Sequence, residues 1–358
     1  MLQLNNHTPF DSKIMLSTNP KGADVLVLGV KATFTILPNI QLAEAQIPLC
    51  LEDEYLDEPE TSSLRYASEM LFPKPGADVI LNGHAYAPEG QTVGVIDTYL
   101  AIGNVSKTLR VFGDRLWIHG GQSEPQPFEK MPLVYENAYG GLHHYQADKP
   151  IGPDSALAVA ENPLGKGFIG KRTNKDMVGQ HLPNLEDPRY LIRTPQDQPK
   201  PAGYGYIPSS WPPRKDYAGT YDENWTKTRA PFLPTDFDER FFLNGSKGLS
   251  FERKTFVGGE PIRLVNLMQG QPDLQFNLPV CHLTAGFKFM GQWHELDLPI
   301  ETVMIEPDEN RLMIVWKAAF NCNKKPLKVS DVTVNFKQKA QLETLERDSE
   351  MIKGDRND

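Results

Sequence analysis

The sequence predicts a mostly β protein, antiparallel and sandwich-like, with a large irregular layer of Pro-, Gly- and aromatic-rich loops and a short C-terminal helix. Two observations support this fold class. The 358 residues include 28 glycines and 30 prolines, and proline interrupts helices because it lacks a backbone N–H and clashes with the preceding turn. Short runs rich in β-branched and aromatic residues alternate with turn sequences near both ends of the chain, which is typical of antiparallel sheets.

Strand and turn signals dominate the N-terminal part, residues 1–121. Residues 23–36 are rich in Val, Leu, Phe and Thr and are followed by proline, so we expect a strand there. The acidic stretch 52–60 is expected to be a solvated loop, because neighbouring like charges repel and favour extension. A docking surface for a partner is the alternative for this stretch.

Two hairpins are predicted in the same part. Residues 77–86 and 91–102 flank a Pro-Glu-Gly sequence, in which Pro suits an early turn position and Gly a left-handed one. Residues 108–112 and 115–119 flank Gly113-Asp114, and Gly at the first of two loop residues fits a type II′ turn. Consecutive hairpins of this kind favour an antiparallel sheet.

Residues 122–260 have a different character. Of the 30 prolines, 16 fall between residues 122 and 240, and regular helical or alternating patterns there are short. The region also contains Trp211, Trp225 and many Tyr and Phe residues, whereas disordered linkers are poor in aromatic residues. We therefore expect ordered, irregular loops packed on the sheets, and loops of this length in compact proteins are usually functional.

The β pattern resumes in the C-terminal part, residues 261–337. Hairpins are predicted for 283–289 with 293–298 and for 302–305 with 311–316, and a last strand for 329–336. From 338 to 358 the composition changes to helix-forming and charged residues, which predicts a polar helix or tail. Residues 1–340 are expected to form one composite domain, whose two β-rich parts make either one sandwich or two joined ones.

Charge and composition exclude several classes of protein. The net charge is −9, so we expect no nucleic-acid binding, which usually requires a basic stripe. No segment approaches the roughly 18 apolar residues of a membrane span, and the N-terminus lacks the basic start and apolar run of a secretory signal. The three cysteines are far apart and odd in number, which favours free thiols over disulfides or a zinc site. A soluble, cytoplasmic protein is expected.

Motifs for catalysis or cofactor binding are weak. Gly165–Gly170 matches G-x-G-x-x-G and precedes Lys171, but Arg172 stands where a phosphate-binding loop needs Ser or Thr, and no strand–helix pattern surrounds it. His143 and His144 are adjacent and would point to opposite faces of a strand. A G-x-S-x-G sequence is absent from the chain. We therefore predict no enzyme, no cofactor and no metal, and a tight turn at the glycines.

The segment 201–225 interleaves aromatic residues with Gly and Pro. Rigid aromatic side chains and Arg dominate the energetics of many protein interfaces. A partner-binding surface is therefore predicted, formed by Tyr204, Tyr206, Trp211, Arg214, Tyr217, Tyr221 and Trp225. Two alternatives remain open: the tryptophans are pins in the core of the loop layer, or the segment lines a small-ligand pocket, as in a carbohydrate-binding protein or a hydrolytic enzyme.

A series of spaced motifs resembles one bacterial family. The series runs from Asn5–Phe10 to about Phe336 and so covers nearly the whole chain. Its motifs include Phe112-Gly-Asp-Arg-Leu-Trp117, Met131-Pro-Leu-Val-Tyr-Glu-Asn-Ala-Tyr-Gly-Gly141, Asn162-Pro-Leu-Gly-Lys-Gly-Phe168, Leu182-Pro-Asn-Leu-Glu186, Trp211-Pro-Pro-Arg214, Gly219-Thr-Tyr-Asp222, Trp225, Pro234-Thr-Asp-Phe-Asp238 and Gly258-Gly-Glu260. The chain resembles domain-of-unknown-function family 2169, whose genes lie beside those of type VI secretion.

This resemblance implies an adaptor, or effector chaperone, that acts in the cytoplasm before secretion. Such proteins bind a secreted effector, or the PAAR-like tip domain attached to it, and help load it onto the spike, which is itself a further candidate partner. The family is not known for enzymatic activity, so no catalytic residues are carried over. Some relatives are fused to pentapeptide repeats, and this chain resembles the stand-alone form.

Overall fold

The computed structural model describes residues 2–337, and the predicted C-terminal helix or tail, 338–358, lies outside the described residues. The first strands in chain order are β1 (Gln3–Asn6), β2 (Asp11–Thr18), β3 (Asp24–Thr35), β4 (Gln41–Leu42), β5 (Glu54–Tyr55), β6 (Leu64–Tyr66), β7 (Gly76–Leu81), β8 (His84–Tyr86), β9 (Val95–Ile102), β10 (Val105–Phe112), β11 (Trp117–Ile118) and β12 (Gly121–Gln122). The strands that follow are β13 (Lys130–Pro132), β14 (Tyr139–Gly140), β15 (Leu142–His144), β16 (Ala156–Ala158), β17 (Lys166–Gly167), β18 (Leu185–Glu186), β19 (Ser250–Glu252), β20 (Pro261–Met268), β21 (Gln271–Asn277), β22 (Leu283–Phe289), β23 (Gln292–Leu298), β24 (Ile300–Glu306), β25 (Arg311–Asn321) and β26 (Val329–Phe336).

Helical structure is short within residues 2–337. The α-helices are α1 (Asn174–Met177) and α2 (Glu223–Thr228), and the 3₁₀ turns are Tyr135–Asn137, Lys215–Tyr217, Glu239–Phe242, Pro307–Glu309 and Pro326–Lys328. Strands between residues 122 and 260 are at most three residues long. The prediction of a mostly β protein with a large irregular loop layer is therefore confirmed.

The largest sheet places strands from both ends of the chain side by side. Its order is β19-β7-β24-β25-β3-β2, with β4 also beside β3. β25 pairs antiparallel with β3 over eleven residues, from Arg311 opposite Thr35 to Asn321 opposite Val25. Both strands are buried along almost their whole length, which explains why residues 23–36 are nearly continuously apolar rather than alternating.

Two further sheets have more than two strands, and the remaining strands of the described residues form two-stranded pairs. The five-stranded sheet has the order β18-β10-β9-β20-β21, and the four-stranded sheet has the order β1-β26-β22-β23. One apolar cluster draws on all three sheets, with Leu28 and Trp316 from the largest, Leu109 and Leu264 from the second and Val332 from the third. The N-terminal and C-terminal strands therefore share a single hydrophobic core, which stabilises the fold chiefly through burial of apolar surface.

The predictions of the C-terminal hairpins are confirmed, and the predictions of the N-terminal hairpins are wrong. β22 pairs with β23, and β24 with β25, at the predicted positions. In the N-terminal part, β7 pairs instead with β24, in parallel, and with β19. β10 pairs with β9 across Gly103 and Asn104, where Gly103 has a φ of 56°. Gly103, rather than Gly113, supplies the left-handed residue of this hairpin.

Glycine is required at position 113 for a different physical reason. A Cβ atom at this position would lie 1.7 Å from the carbonyl oxygen of Gln126, so only glycine permits the close approach of the two backbones. Parallel pairing also occurs between β1 and β26 and between β14 and β17. The sheets are thus mostly antiparallel, with parallel pairs where segments distant in sequence meet.

The outer face of the largest sheet is covered by residues 43–74, which we call the strap. Leu49, Leu64 and Met70 of the strap pack on apolar side chains of this face, which are Ile80, Met304, Met313 and Val315. Strand alternation places Lys31 and Lys317 on the same face. The acidic residues of stretch 52–60 are exposed, in agreement with a solvated loop.

Three ion pairs are buried beneath the strap. Lys31 Nζ lies 2.9 Å from Glu69, Lys74 Nζ 2.7 Å from Asp78, and Lys317 Nζ 2.6 Å from Glu301. All six side chains are at most 7% exposed. The backbone N–H of Lys74 also donates to Glu301, so each pair involves the strap. Burial lowers the pKa of Lys317 against the attraction of Glu301, because removal from water disfavours its charged form.

We predict that breaking one buried pair is more harmful than replacing both partners. Lys317→Met leaves the Glu301 carboxylate buried without its cation and should lower the free energy of unfolding by about 3–5 kcal/mol. The double change Lys317→Met/Glu301→Leu should recover most of this loss. Urea unfolding measures both, with Lys227→Gln in the exposed Glu223–Lys227 pair as a control. A Lys317→Met variant as stable as this control would contradict the prediction.

The cysteines are free and buried, and we expect them to be unreactive in the folded protein. Burial raises the pKa of the Cys50 and Cys281 thiols to about 12, so almost no thiolate is present at pH 8. Ellman's reagent should therefore label no thiol rapidly in the native protein and three thiols after denaturation. One rapid equivalent in the native state would contradict this expectation.

Candidate partner-binding cleft in the loop layer

The structure divides the seven residues of the predicted partner surface. Tyr204, Tyr206, Trp211 and Arg214 are buried, whereas Tyr217 and Trp225 are half-buried and Tyr221 is 52% exposed. The four buried side chains offer almost no surface to a partner, so that part of the predicted surface needs correction. The alternative, in which the tryptophans are pins in the core of the loop layer, describes the buried Trp211 but not the half-buried Trp225. Tyr204, Tyr206 and Arg214 are buried in the same way as Trp211.

Tyr204 and Tyr206 anchor the segment to two different cores. The Tyr204 hydroxyl donates to the backbone oxygen of Thr98 in β9 at 3.1 Å, and its ring joins the main cluster. Tyr206 packs in the smaller cluster with Ile80 and Met304. Burial raises the pKa of both hydroxyls, as expected when the charged form is removed from water. Both tyrosines are therefore structural.

Trp211 and Arg214 fix the next turn of the segment. The Trp211 ring meets Tyr135 edge-on, with 5.6 Å between ring centroids. Arg214 donates from Nε to Phe241 O at 3.0 Å and from Nη1 to Ile207 O at 2.7 Å. One guanidinium thereby connects three loop segments, and the rigid turn between Trp211 and Arg214 becomes one wall of a cleft.

This loop-layer cleft has a volume of about 530 Å³. Its apolar surface comes mainly from Tyr135, Ile207, Pro212, Pro213 and Leu243, and charged side chains of both signs surround it. The lining residues are Tyr135, Glu161, Lys200, Pro201, Ile207, Pro212, Pro213, Arg214, Asp216, Tyr217, Arg240, Leu243, Gly245, Ser246, Lys247, Ser250 and Glu252. A predominantly apolar cleft with polar groups at its edge is the usual form of a binding site.

Tyr217 is held on the wall of the cleft by Arg240. The Arg240 guanidinium lies 4.3 Å from the Tyr217 ring centroid, a distance at which a cation attracts the ring face. Asp238 accepts from Arg240 Nε at 2.8 Å, and this hydrogen bond lowers the pKa of the Asp238 carboxyl. The Tyr217 ring is therefore fixed while part of its surface stays open to solvent.

Beyond Tyr217 the chain forms a surface group of three aromatic residues, the exposed Tyr221 and Phe232 and the half-buried Trp225, which we call the aromatic knob. The Tyr221 and Trp225 rings meet edge-on at 4.7 Å, and Trp225 Nε1 donates to Phe232 O at 2.8 Å. Asp222 caps α2 by accepting from Trp225 N at 2.7 Å. Phe232 is 42% exposed and was missed by sequence reasoning, which stopped at residue 225.

Lys107 lies behind the cleft and was also missed. Its ammonium donates to Ser246 Oγ at 2.9 Å and to Lys247 O at 3.0 Å. Burial lowers the pKa of Lys107 to about 7. A neutral lysine beside a serine can accept the hydroxyl proton, as in some hydrolases, but Ser246 is only 2% exposed. The contact therefore holds the 246–247 turn in place rather than presenting a nucleophile.

The motifs considered for metals and nucleotides are accounted for by local structure. Within residues 2–337 no group of three or more His, Cys, Asp or Glu side chains could hold a metal ion. His143 Nδ1 accepts from Lys171 N, and His144 Nε2 contacts Lys149 O. The prediction of a tight turn at the glycines needs correction, because Lys166 and Gly167 form β17 beside β14, and of the three glycines only Gly170, at a φ of 59°, lies in a turn. In the same described part of the chain, no helix has the length and apolarity needed to cross a membrane.

We predict that Trp211→Ala and Tyr221→Ala have different effects on stability. Trp211 is buried against Tyr135, so its removal should cost about 3–5 kcal/mol of unfolding free energy. Tyr221 is exposed, and Tyr221→Ala should cost less than about 1 kcal/mol. Urea unfolding of both variants tests the division into structural pins and exposed surface. Equal losses for the two would show that the division is wrong.

Comparisons with known proteins place the chain in a family. No curated protein and no solved structure matched the chain. A family model described as "Uncharacterized protein conserved in bacteria (DUF2169)" matches residues 21–317. This range includes the loop-layer cleft, the aromatic knob and most strands of the three sheets. The chain therefore belongs to the bacterial family DUF2169.

Proposed function

We propose that the protein is a cytoplasmic adaptor, or effector chaperone, which binds a type VI secretion effector or its PAAR-like tip domain and promotes loading onto the spike. The observation that carries the proposal is the loop-layer cleft together with the aromatic knob, which follows Tyr217 of the cleft wall in the chain. The biological role is taken from the resemblance of the spaced motifs to family 2169, and the matched family model describes its members only as uncharacterized.

The cleft and the knob have the physical properties of a protein-binding surface. Tyr, Trp and Arg contribute most to binding energy when they lie in preformed pockets. Here Tyr217 and Trp225 are held by hydrogen bonds and ring contacts, and Pro212 and Pro213 stiffen the cleft wall. Side chains and loops that are already ordered lose little entropy when a partner binds. The surface is thus suited to hold an apolar segment of a client.

The charge of the chain favours a basic client. The net charge is −9, and the exposed stretch 52–60 adds a local acidic surface. Opposite charges on two partners accelerate their association and disfavour wrong partners. This contribution acts mainly on the rate and specificity of binding, whereas the aromatic surface supplies the affinity.

The hydrolytic alternative receives no support from the cleft. A general acid of a glycosidase needs a carboxyl group whose pKa is raised. Glu161, at the edge of the cleft, pairs with Lys200, which lowers its pKa. Burial raises the pKa of Glu186, but this residue pairs with Arg115 and does not line the cleft. We therefore keep the adaptor as the proposed function.

The test is co-expression with the PAAR-like protein or toxin encoded next to this gene. We expect the wild-type protein to co-purify with that client and Tyr221→Ala/Phe232→Ser to bind at least tenfold more weakly, a loss of about 1.4 kcal/mol or more. Tyr190→Ala is a matched control, because Tyr190 is 66% exposed and lies outside the cleft and the knob. It should bind like the wild type.

Two results would contradict the proposal at different levels. Equal capture by the wild type and by Tyr221→Ala/Phe232→Ser would exclude the knob as the contact surface. Undiminished delivery of the neighbouring toxin in a strain that lacks this protein would overturn the adaptor role itself. Circular dichroism of each variant separates loss of binding from loss of fold.

A further inference from the structure

A second cleft, distinct from the loop-layer cleft, lies between the β11–β12 hairpin, α1 and the turn at 193–196. It has a volume of about 390 Å³, and we call it the donor cleft. The lining residues are Trp117, Ile118, His119, Gly120, Gly121, Asn174, Lys175, Val178, Arg193, Thr194, Pro195 and Gln196. None of them belongs to the surface proposed to bind a client.

The walls of the donor cleft pack on a small hydrophobic core that is separate from the main cluster. This core consists of Trp117, Tyr139, Ile169, Met177, Leu182 and Ile192. Trp117 N donates to Gln180 O at 3.0 Å, and Gly179 N donates to Trp117 O at 2.8 Å. Gln122 Nε2 donates to Ile192 O at 2.8 Å. These contacts join the hairpin, the helix and the turn, so the cleft exists before any ligand arrives.

The charge of the donor cleft is opposite to that of the whole chain. His119, Lys175 and Arg193 line it, and no Asp or Glu residue does. None of these three side chains forms an ion pair with another residue of the range 2–337. In a protein with a net charge of −9, the two unpaired cations of this cleft, Lys175 and Arg193, attract anions.

The carboxylates close to these cations in sequence, Asp176 and Asp197, accept hydrogen bonds within their own loops. Asp176 accepts from the N–H and hydroxyl of Thr173, each at 2.8 Å. Asp197 accepts from the backbone N–H groups of Arg193 at 2.7 Å and Thr194 at 2.8 Å. These hydrogen bonds lower the pKa of both carboxyl groups. Their oxygens therefore shape the loops. Neither carboxylate lies within ion-pair distance of Lys175 or Arg193, although the charge of Arg193 also contributes to the lowered pKa of Asp197.

An unsatisfied donor supplies independent support. Trp117 is 4% exposed, and its indole N–H has no hydrogen-bond partner among the described residues. A buried donor without an acceptor costs about 1–3 kcal/mol, and an indole can only donate. Asn174 accepts from Gln196 Nε2 with its carbonyl oxygen, which leaves its amide N–H₂ group for a further acceptor. The polar groups of the cleft are predominantly donors.

We propose that the donor cleft binds a phosphate group, either free or as a small monoester. Lys175 and Arg193 provide two positive charges, which match the charge of about −1.5 to −2 on a phosphate monoester at pH 7. Arg presents a planar fork of N–H donors that fits phosphate oxygens, and Lys adds a point charge. The Asn174 amide offers a further donor to the phosphate, and the Trp117 indole lies in the wall beside it. This site is independent of client binding.

The test is a titration of the full-length protein with inorganic phosphate, followed by NMR of the indole N–H signals. The chain has five tryptophans, and loss of one signal in Trp117→Phe identifies Trp117. We expect a saturable shift of that signal and a rise in melting temperature, since a ligand that binds the folded state stabilises it. Lys175→Gln/Arg193→Gln should weaken binding at least tenfold, whereas Lys227→Gln, which changes an exposed lysine elsewhere, should not.

Sodium chloride at matched ionic strength controls for general screening. Tighter binding of glycerol phosphate than of inorganic phosphate would identify a monoester as the ligand, and the reverse would identify the free ion. A linear, unsaturable shift, or the same affinity in Lys175→Gln/Arg193→Gln, would overturn the proposal. The experiment contains no client protein, so its failure leaves the proposed adaptor function unaffected.

Discussion

The buried lysine–carboxylate pairs beneath the strap are the constraint on which the loop layer depends. A charge removed from water must find a partner and further hydrogen bonds, because its desolvation is otherwise too costly. Lys74 meets this requirement by contacting Asp78 and also the side-chain oxygen of Asn244 at 3.0 Å, while Asn244 N donates to Asp78 at 2.9 Å. The ion pair thereby fixes the segment that continues into Leu243 and Gly245, two residues of the loop-layer cleft. The shape of the surface proposed to bind a client is thus linked to charges inside the largest sheet.

Local sequence predicted those elements whose partners are close in the chain. The hairpin of β22 and β23 and the long strand β3 could be identified because their residues alternate or are continuously apolar between clear turns. The pairing of β7 with β24 could not be predicted, because more than two hundred residues separate the two strands. The sequence of one strand does not indicate which distant strand it pairs with. Gly113 was misassigned for a related reason, since its requirement comes from the backbone of Gln126. The loop-layer cleft could not be predicted either, because its walls come from separate segments near residues 135, 161, 200, 212 and 243.

Aromatic residues of the loop layer serve two roles that composition cannot separate. Tyr204, Tyr206 and Trp211 are pins in the interior, whereas Tyr221 and Phe232 are open to solvent. The motif that begins at Trp211 and ends at Arg214 contributes to the resemblance to the family, yet both of these side chains are buried. The shared motif therefore reflects the packing that holds the loop layer together. Under the proposed adaptor function, differences in client choice among family members are expected at exposed positions such as Phe232, where a change of side chain leaves the packing intact.

The position of β3 has a consequence for how the protein is made. β3 acquires its main neighbour only when β25 is present, and the paired residues Thr35 and Arg311 are separated by most of the chain. At roughly 5–20 residues per second of translation, the early strand waits about 15–60 s on the ribosome before that neighbour emerges. Throughout this interval an apolar strand edge is exposed, which makes the nascent chain vulnerable to aggregation. A protein proposed to shelter others would then itself expose, during its own synthesis, the kind of unpaired strand that chaperones cover.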